Sequence, residues 1–197
     1  MNAIIRTSSG IHLVPVESQL LENRKVYLEG EITAQKAIDI SKQLLLLNER
    51  DAQKPINIII NSEGGNVNSG LLIYDLLQSC NSPITTICMG KAYSMAAVIF
   101  ISANNGRYMF PHSELMIHEP RLSGGISGDS FSIKSMSDSL LAQRDTLNRI
   151  LSLHSGHSIE EIDQATTYDH FYGPTESINF GFCDGIIGLN QLIKENY

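Results

Sequence analysis

Cysteine is scarce here: Cys80, Cys88 and Cys183 are the three in 197 residues, and they lie far apart. That spacing excludes a disulfide framework and the paired thiols of a zinc motif. No metal and no cofactor is called for. Basic residues are outnumbered, 14 against 21 acidic, for a formal net charge of −7. A nucleic-acid surface needs a basic patch, so nucleic acid is excluded as a partner. No apolar run approaches the roughly 20 residues of a membrane-spanning helix, which sets a membrane role aside. The opening Met-Asn-Ala-Ile-Ile-Arg-Thr-Ser-Ser-Gly lacks the apolar core of a signal peptide. A reducing cytoplasm is the expected compartment. Repeats, low-complexity tracts and interdomain linkers are also missing. What is present, 42% hydrophobic and 18% charged residues, suits one globular domain.

The chain is organised around Met89-Gly90-Lys91-Ala92-Tyr93-Ser94-Met95-Ala96-Ala97. A β-branched run, Ile84 to Cys88, precedes it, and Val98-Ile99-Phe100-Ile101 follows. The pattern predicts a strand, a tight glycine turn and a helix, with Ser94 at or near the first helical turn. The first N–H groups of a helix lack internal partners and favour negative charge. Two roles are therefore open to Ser94. It caps the helix, as serines often do, or it presents a nucleophilic hydroxyl beside donors suited to an oxyanion.

The rest of the chain alternates strands and helices. Residues 1–16 read as a mobile arm or loop. Val16–Arg24 reads as a short helix, Lys25–Gly30 as a strand, Ile32–Leu47 as a helix and Ile56–Asn61 as a buried strand. Ser62-Glu63-Gly64-Gly65-Asn66 then turns the chain into a helix over Val67–Gln78. This order implies βαβ units, with the glycine turns at one sheet edge, beyond the carboxyl ends of parallel strands. Gly64-Gly65 lacks the residues of a P-loop or a dinucleotide fingerprint. It is a structural turn, or it offers an unshielded backbone N–H beside Ser94.

Arg107–Phe110 and Glu114–His118 are short strands. Alternation puts Glu114, Met116 and His118 on one face of the second. His118 is a hydrogen-bonded surface residue or a base. Ser130–His154 reads as one long helix ended by Gly156, a protruding element that packs on another subunit. Ser158-Ile159-Glu160-Glu161 has capping-box form. Pro174–Phe180 reads as a helix with proline near its start, and Phe182–Ile187 as a closing strand or turn. Asp169, taken alone, is a surface carboxylate or a cap.

Seven segments, in order and spacing, resemble the proteolytic subunits of the Clp protease family. They are Ile60-Asn61-Ser62-Glu63-Gly64-Gly65, Ser69-Gly70 to Ile73-Tyr74-Asp75, Thr86-Ile87-Cys88-Met89-Gly90, Ala92-Tyr93-Ser94-Met95-Ala96, Met116-Ile117-His118-Glu119-Pro120, Gly124-Gly125 to Gly128, and Asp169-His170-Phe171 with Pro174-Thr175-Glu176. The similarity runs from about Thr7 to about Ile187.

The resemblance implies an α/β, crotonase-like fold of repeated ββα and βαβ units with a protruding handle helix. It implies one domain, 1–197: an axial arm at 1–16, a head at 17–123 and 157–197, and a handle at 124–156. It implies a serine endopeptidase with Ser94 as nucleophile, His118 as general base then acid, and Asp169 as the carboxylate that orients His118. Gly65 and Met95 would supply the oxyanion-hole N–H groups, and Gly124, Gly125 and Ile126 would hold the substrate backbone. The implied assembly is two stacked heptamers, as a homo-oligomer or with a paralogous subunit. Its implied partners are unfolded polypeptide substrates and an AAA+ unfoldase of the ClpX, ClpA or ClpC type. A regulatory or structural ring subunit, active only beside a paralogue, is the alternative. An acyl-CoA hydratase or isomerase of the same superfamily is a third.

The sequence also departs from the family pattern. Glu63 stands where proline is usual, Lys91 for glutamine and Tyr93 for alanine, and an extra residue lies between Pro120 and Gly124. Ser132 and Tyr168 replace an aspartate and an arginine that pair between rings. Asn57, Ile59 and Ser79 thin the aromatic positions of the unfoldase-docking pocket.

Overall fold

The computed structural model describes residues 1–8, 10–122 and 127–194. Two strands open it, β1 (Asn2–Thr7) and β2 (Gly10–Pro15), paired antiparallel. The sequence pattern predicts an arm or loop there without strands; the structure shows the two paired strands. The strands are hard to read for a physical reason. Ile4, Ile11 and Leu13 are all exposed, so the hairpin has no buried face to impose a readable alternation.

After α1 (Val16–Glu22) the chain enters a sheet that has seven strands among the described residues. Strands β3 (Lys25–Ile32), β4 (Ile56–Gly65), β5 (Ile84–Tyr93) and β6 (Gly106–Met109) run parallel in that order, and β9 (Gly185–Ile186) pairs with β6. Strand β5 divides its partners. Thr85–Cys88 pairs with β6, whereas Lys91–Tyr93 pairs with β7 (Glu114–Ile117). Strand β8 (His170–Tyr172) closes antiparallel on β7. The intervening helices are α2 (Ala34–Arg50), α3 (Val67–Ser79) and α4 (Met95–Ile101). The βαβ alternation expected from the sequence is thus present. The α/β class is observed.

Strands β3, β4 and β5 extend further than their apolar runs predict. Each passes through a glycine or polar segment expected to be a turn. The register shifts between Glu29 and Glu31 on β3 and between Ile60 and Ser62 on β4. On β5, Gly90 has φ +120, and the Asn61 side chain occupies the space where a Cβ would stand. Asn61 Oδ1 accepts from the Lys91 N–H at 3.3 Å. These are bulges, in which glycine bends a strand without ending it.

Helix α4 is buried along all seven residues. Its β-branched Val98, Ile99 and Ile101 are indifferent helix formers. Burying large apolar side chains, at roughly 1.5–3 kcal/mol each, outweighs that preference. Phe100, one residue before its end, is fully buried, and Thr86 Oγ1 donates to the Phe100 carbonyl at 2.6 Å.

Helix α5 (Ser130–Ser155) is 26 residues long. Asp129 caps its start by accepting from the Ser132 N–H at 2.8 Å, and Gly156, at φ +81, ends it. Its buried residues are Leu147, Asn148, Ile150 and Leu151, all near the carboxyl end. The first ten residues, 130–139, are exposed. Helix α6 (Ile159–Thr166) opens with the expected capping box between Ser158 and Glu161. Then follow α7 (Pro174–Asn179) and α8 (Leu189–Lys194), the latter not signalled in the sequence reading. Leu192 of α8 joins Ile59, Ile87 and Ile187 in a small apolar cluster of its own. Asn57 and Ile59, at positions expected to line a docking pocket, are buried in the protomer.

Candidate active site

Ser94 occupies the one-residue junction between β5 and α4. Its backbone sits at φ 54, ψ −122, a conformation glycine favours and other residues rarely adopt. Both backbone groups are committed. The Ser94 N–H donates to Met116 O at 2.8 Å, and its carbonyl accepts from the Ala97 N–H at 2.9 Å. These bonds hold the strained turn in place. The side chain makes no capping bond. Ser94 Oγ lies instead 2.8 Å from His118 Nε2. The capping role open to Ser94 on sequence grounds is therefore not the one it takes.

His118 follows the last residue of β7. The β7–β8 register pairs Ile117 with His170, so the next residue on one strand and the preceding residue on the other, His118 and Asp169, are brought side by side. Asp169 Oδ1 is 3.4 Å from His118 Nδ1. That approach is electrostatic and makes no hydrogen bond. His118 Nδ1 is buried and unpartnered. The same Asp169 oxygen forms an ion pair with the Arg121 guanidinium. Burial of the ring and the nearby Arg121 charge hold the His118 pKa below its ordinary value, against the opposing pull of Asp169 and Glu119. The lowered pKa favours the neutral imidazole, the form that can accept a proton.

Gly64 and Gly65 end β4 directly against this junction. A Cβ on Gly64, at φ +87, would stand 2.6 Å from Tyr93 O, 2.9 Å from Ser94 Cβ and 3.0 Å from Met95 N. A Cβ on Gly65, at φ +151, would stand 2.6 Å from Ile32 O. The two glycines let β4 lie against both β3 and the Ser94 turn. Beside Ser94 is a small apolar recess lined by Val67, Met95, Val98, Ile117, Leu147 and Leu151. The structure thus brings together Ser94, His118, Asp169, Met95 and the Gly64-Gly65 backbone. Of the expected substrate-binding residues, Gly124, Gly125 and Ile126 lie outside the described residues. No group of side chains suited to a metal is found among the described residues.

A family profile described as "Clp protease" matches residues 8–190. A curated relative from Ligilactobacillus salivarius (strain UCC118), the "ATP-dependent Clp protease proteolytic subunit", is 38% identical over 192 residues, spanning 97% of this chain and 96% of the relative. This chain belongs to the Clp protease family. Membership of the Clp proteases sets the acyl-CoA hydratase or isomerase reading aside.

As a Clp protease, the chain accommodates its own departures from the pattern. Glu63 and Lys91, both unusual, pair with each other at 3.1 Å between β4 and β5. The pair is exposed and screened by solvent, so it adds little to stability. Tyr93, before the serine, donates its hydroxyl to Glu114 Oε1 and meets the Phe171 ring edge-on at 5.7 Å. The Glu114 carboxylate, together with burial, pushes the Tyr93 phenol up to about 12. Tyr168 and Ser132 are exposed. Nothing in the sequence marks Arg121 except its place in the lengthened segment after Pro120.

Proposed function

We propose that this chain is a serine endopeptidase subunit that cleaves unfolded proteins and short peptides. The observation that carries this reading is the 2.8 Å contact between Ser94 Oγ and His118 Nε2 at a strained strand–helix junction. His118 takes the Ser94 proton as the oxygen attacks the scissile carbonyl. The backbone N–H groups of Gly65 and Met95 receive the developing oxyanion. His118 then returns the proton to the leaving amine, and an acyl-serine remains. A water, deprotonated by His118, attacks the ester; the Ser94 Oγ–acyl bond breaks, His118 returns the proton to Oγ, and the acid product leaves. Asp169 stabilises the imidazolium formed at each step.

Assembly into two stacked heptameric rings goes with this reading, as does processive action with an AAA+ unfoldase in the cytoplasm. Residues 17–123 and 157–197 would form the head, and 124–156 the handle. Exposed Phe131, Ile133, Met136 and Leu141 on α5 support a partner surface there. Among the described residues, no helix is long and apolar enough to cross a membrane. The alternative, a regulatory subunit that works beside a paralogue, draws support from the missing hydrogen bond between His118 and Asp169.

A fluorophosphonate tests the proposal directly. The assembled protein takes the label, and peptide mapping finds it on Ser94. No label, or label at another residue, overturns the assignment. The pH profile gives a second test. The base must be unprotonated, so kcat/KM rises with pH through the His118 pKa. That pKa is lowered, so the half-maximal point falls below the ~6.5 of a free imidazole. A profile flat between about pH 5 and 8 counts heavily against a histidine base.

A further inference from the structure

The Asp169 carboxylate has two suitors. Arg121 Nη2 and His118 Nδ1 both approach the same oxygen, Oδ1. Arg121 forms the close pair, and His118 stays at 3.4 Å with Nδ1 buried and unpartnered. A hydrogen bond between these groups needs about 2.7–3.2 Å and a favourable angle. The carboxylate is therefore engaged on its exposed side and withheld from the buried ring.

The segment that carries Arg121 is fixed independently of Asp169. The Glu119 N–H donates to Thr166 O at 2.8 Å. Arg144 of α5 reaches both Glu119, at 3.3 Å, and Asp163 of α6, at 3.3 Å. Arg121 thus acts from a braced position. The charged groups that face His118 are Asp169, immediately before β8, and Glu119 and Arg121 from its own segment, with Arg144 behind Glu119. The recess wall formed by α3, α4 and α5 contributes Val67, Met95, Val98, Leu147 and Leu151, none of which titrates.

We propose that Arg121 is a positioning residue that draws the Asp169 carboxylate away from His118 and so restrains the proton relay of this Clp protease. The inference rests on the serine peptidase reading above. Without Arg121, Asp169 Oδ1 is released to accept from the His118 Nδ1–H. That bond fixes the tautomer with Nε2 free for Ser94 and stabilises the imidazolium. Arg121 therefore sets a ceiling on the rate that Asp169 is able to support.

The test is Arg121→Gln in the assembled protein, assayed with a fluorogenic peptide across pH. The plateau of kcat/KM is expected to rise about threefold or more. The acid limb is expected to move to higher pH by about half a unit or more, because a cation near His118 is gone and a hydrogen-bonded carboxylate is gained. Arg121→Lys restores a positive charge and returns the limb toward wild type. Asp169→Asn supplies the second measurement. It removes the gain in the Arg121→Gln background, and its cost there exceeds its cost in the wild type. Arg121 is exposed, so these variants fold, which circular dichroism checks. A fall in the plateau shows Arg121 to be a support for Asp169 and overturns the proposal. An unchanged plateau and limb overturn it as well. Peptide cleavage that survives Ser94→Ala in either background defeats the underlying peptidase reading instead.

Discussion

Ser94→Ala is expected to lower kcat for peptide hydrolysis by ~10³–10⁶-fold with little change in KM. The hydroxyl is the proposed nucleophile, and its loss leaves His118 Nε2 with nothing to deprotonate. The neighbouring backbone keeps its shape, because the bonds to Met116 O and from the Ala97 N–H belong to the main chain. A second substitution separates chemistry from strain. Ser94→Gly should be as inactive as Ser94→Ala, yet more stable. At φ 54 and ψ −122 a side chain costs ~1–3 kcal/mol that glycine does not incur. Glycine's greater freedom in the unfolded chain returns ~0.4–1 kcal/mol of that. The net gain is about 1 kcal/mol, or roughly 2–4 °C in thermal midpoint for a chain of this size. Peptide assays and thermal melts of the two variants measure both effects. Equal midpoints would show that the turn stores no strain.

Gly64→Ala should be strongly disruptive at the site. The new Cβ meets Tyr93 O at 2.6 Å and Met95 N at 3.0 Å, both backbone atoms with no rotamer to change. Relief requires β4 to move from the β5–α4 junction. That would displace the Gly65 N–H, one of the two proposed oxyanion donors. A lost oxyanion donor costs about 10²–10³ in kcat. The overpacking and the φ of +87 together destabilise by about 3 kcal/mol. Gly30→Ala is the matched comparison. Gly30 also has positive φ, +64, but a Cβ there meets nothing within 4 Å. It should cost about 1–2 kcal/mol and leave peptide hydrolysis as it was. Urea denaturation and steady-state kinetics on both variants decide the matter. Similar activity in the two would show that contact with the Ser94 turn is unimportant.

Much of this architecture is legible from composition alone, and the reason differs from element to element. Ile56–Ile60 and Ile84–Cys88 read as strands because β-branched residues buried on both faces leave few alternatives. Helix α5 reads correctly to within one residue of its end because Gly156 can adopt φ +81. The glycines of β4 and β5 mislead, since a bulge and a turn make the same demand on φ. The β1–β2 hairpin is missed because it is held by backbone pairing and buries no apolar face. In the site, a local pattern allows Ser94 two roles. Only the long-range approach of His118, 24 residues on, distinguishes them. Asp169 comes from a third element, and no periodicity links it to the other two. The resemblance to Clp proteases named it, and the β7–β8 register explains it. Arg121 stayed hidden because its importance lies in competition for one oxygen, which is a matter of ångströms.

The exposed end of α5 has a thermodynamic corollary. Residues 130–139 are Ser-Phe-Ser-Ile-Lys-Ser-Met-Ser-Asp-Ser, half of them serine, an indifferent helix former. Ten residues of that composition do not sustain a helix in water by themselves. In the proposed assembly a neighbouring subunit would cover this surface. Fraying of the helix start and dissociation would then be coupled, and both would depend on protein concentration.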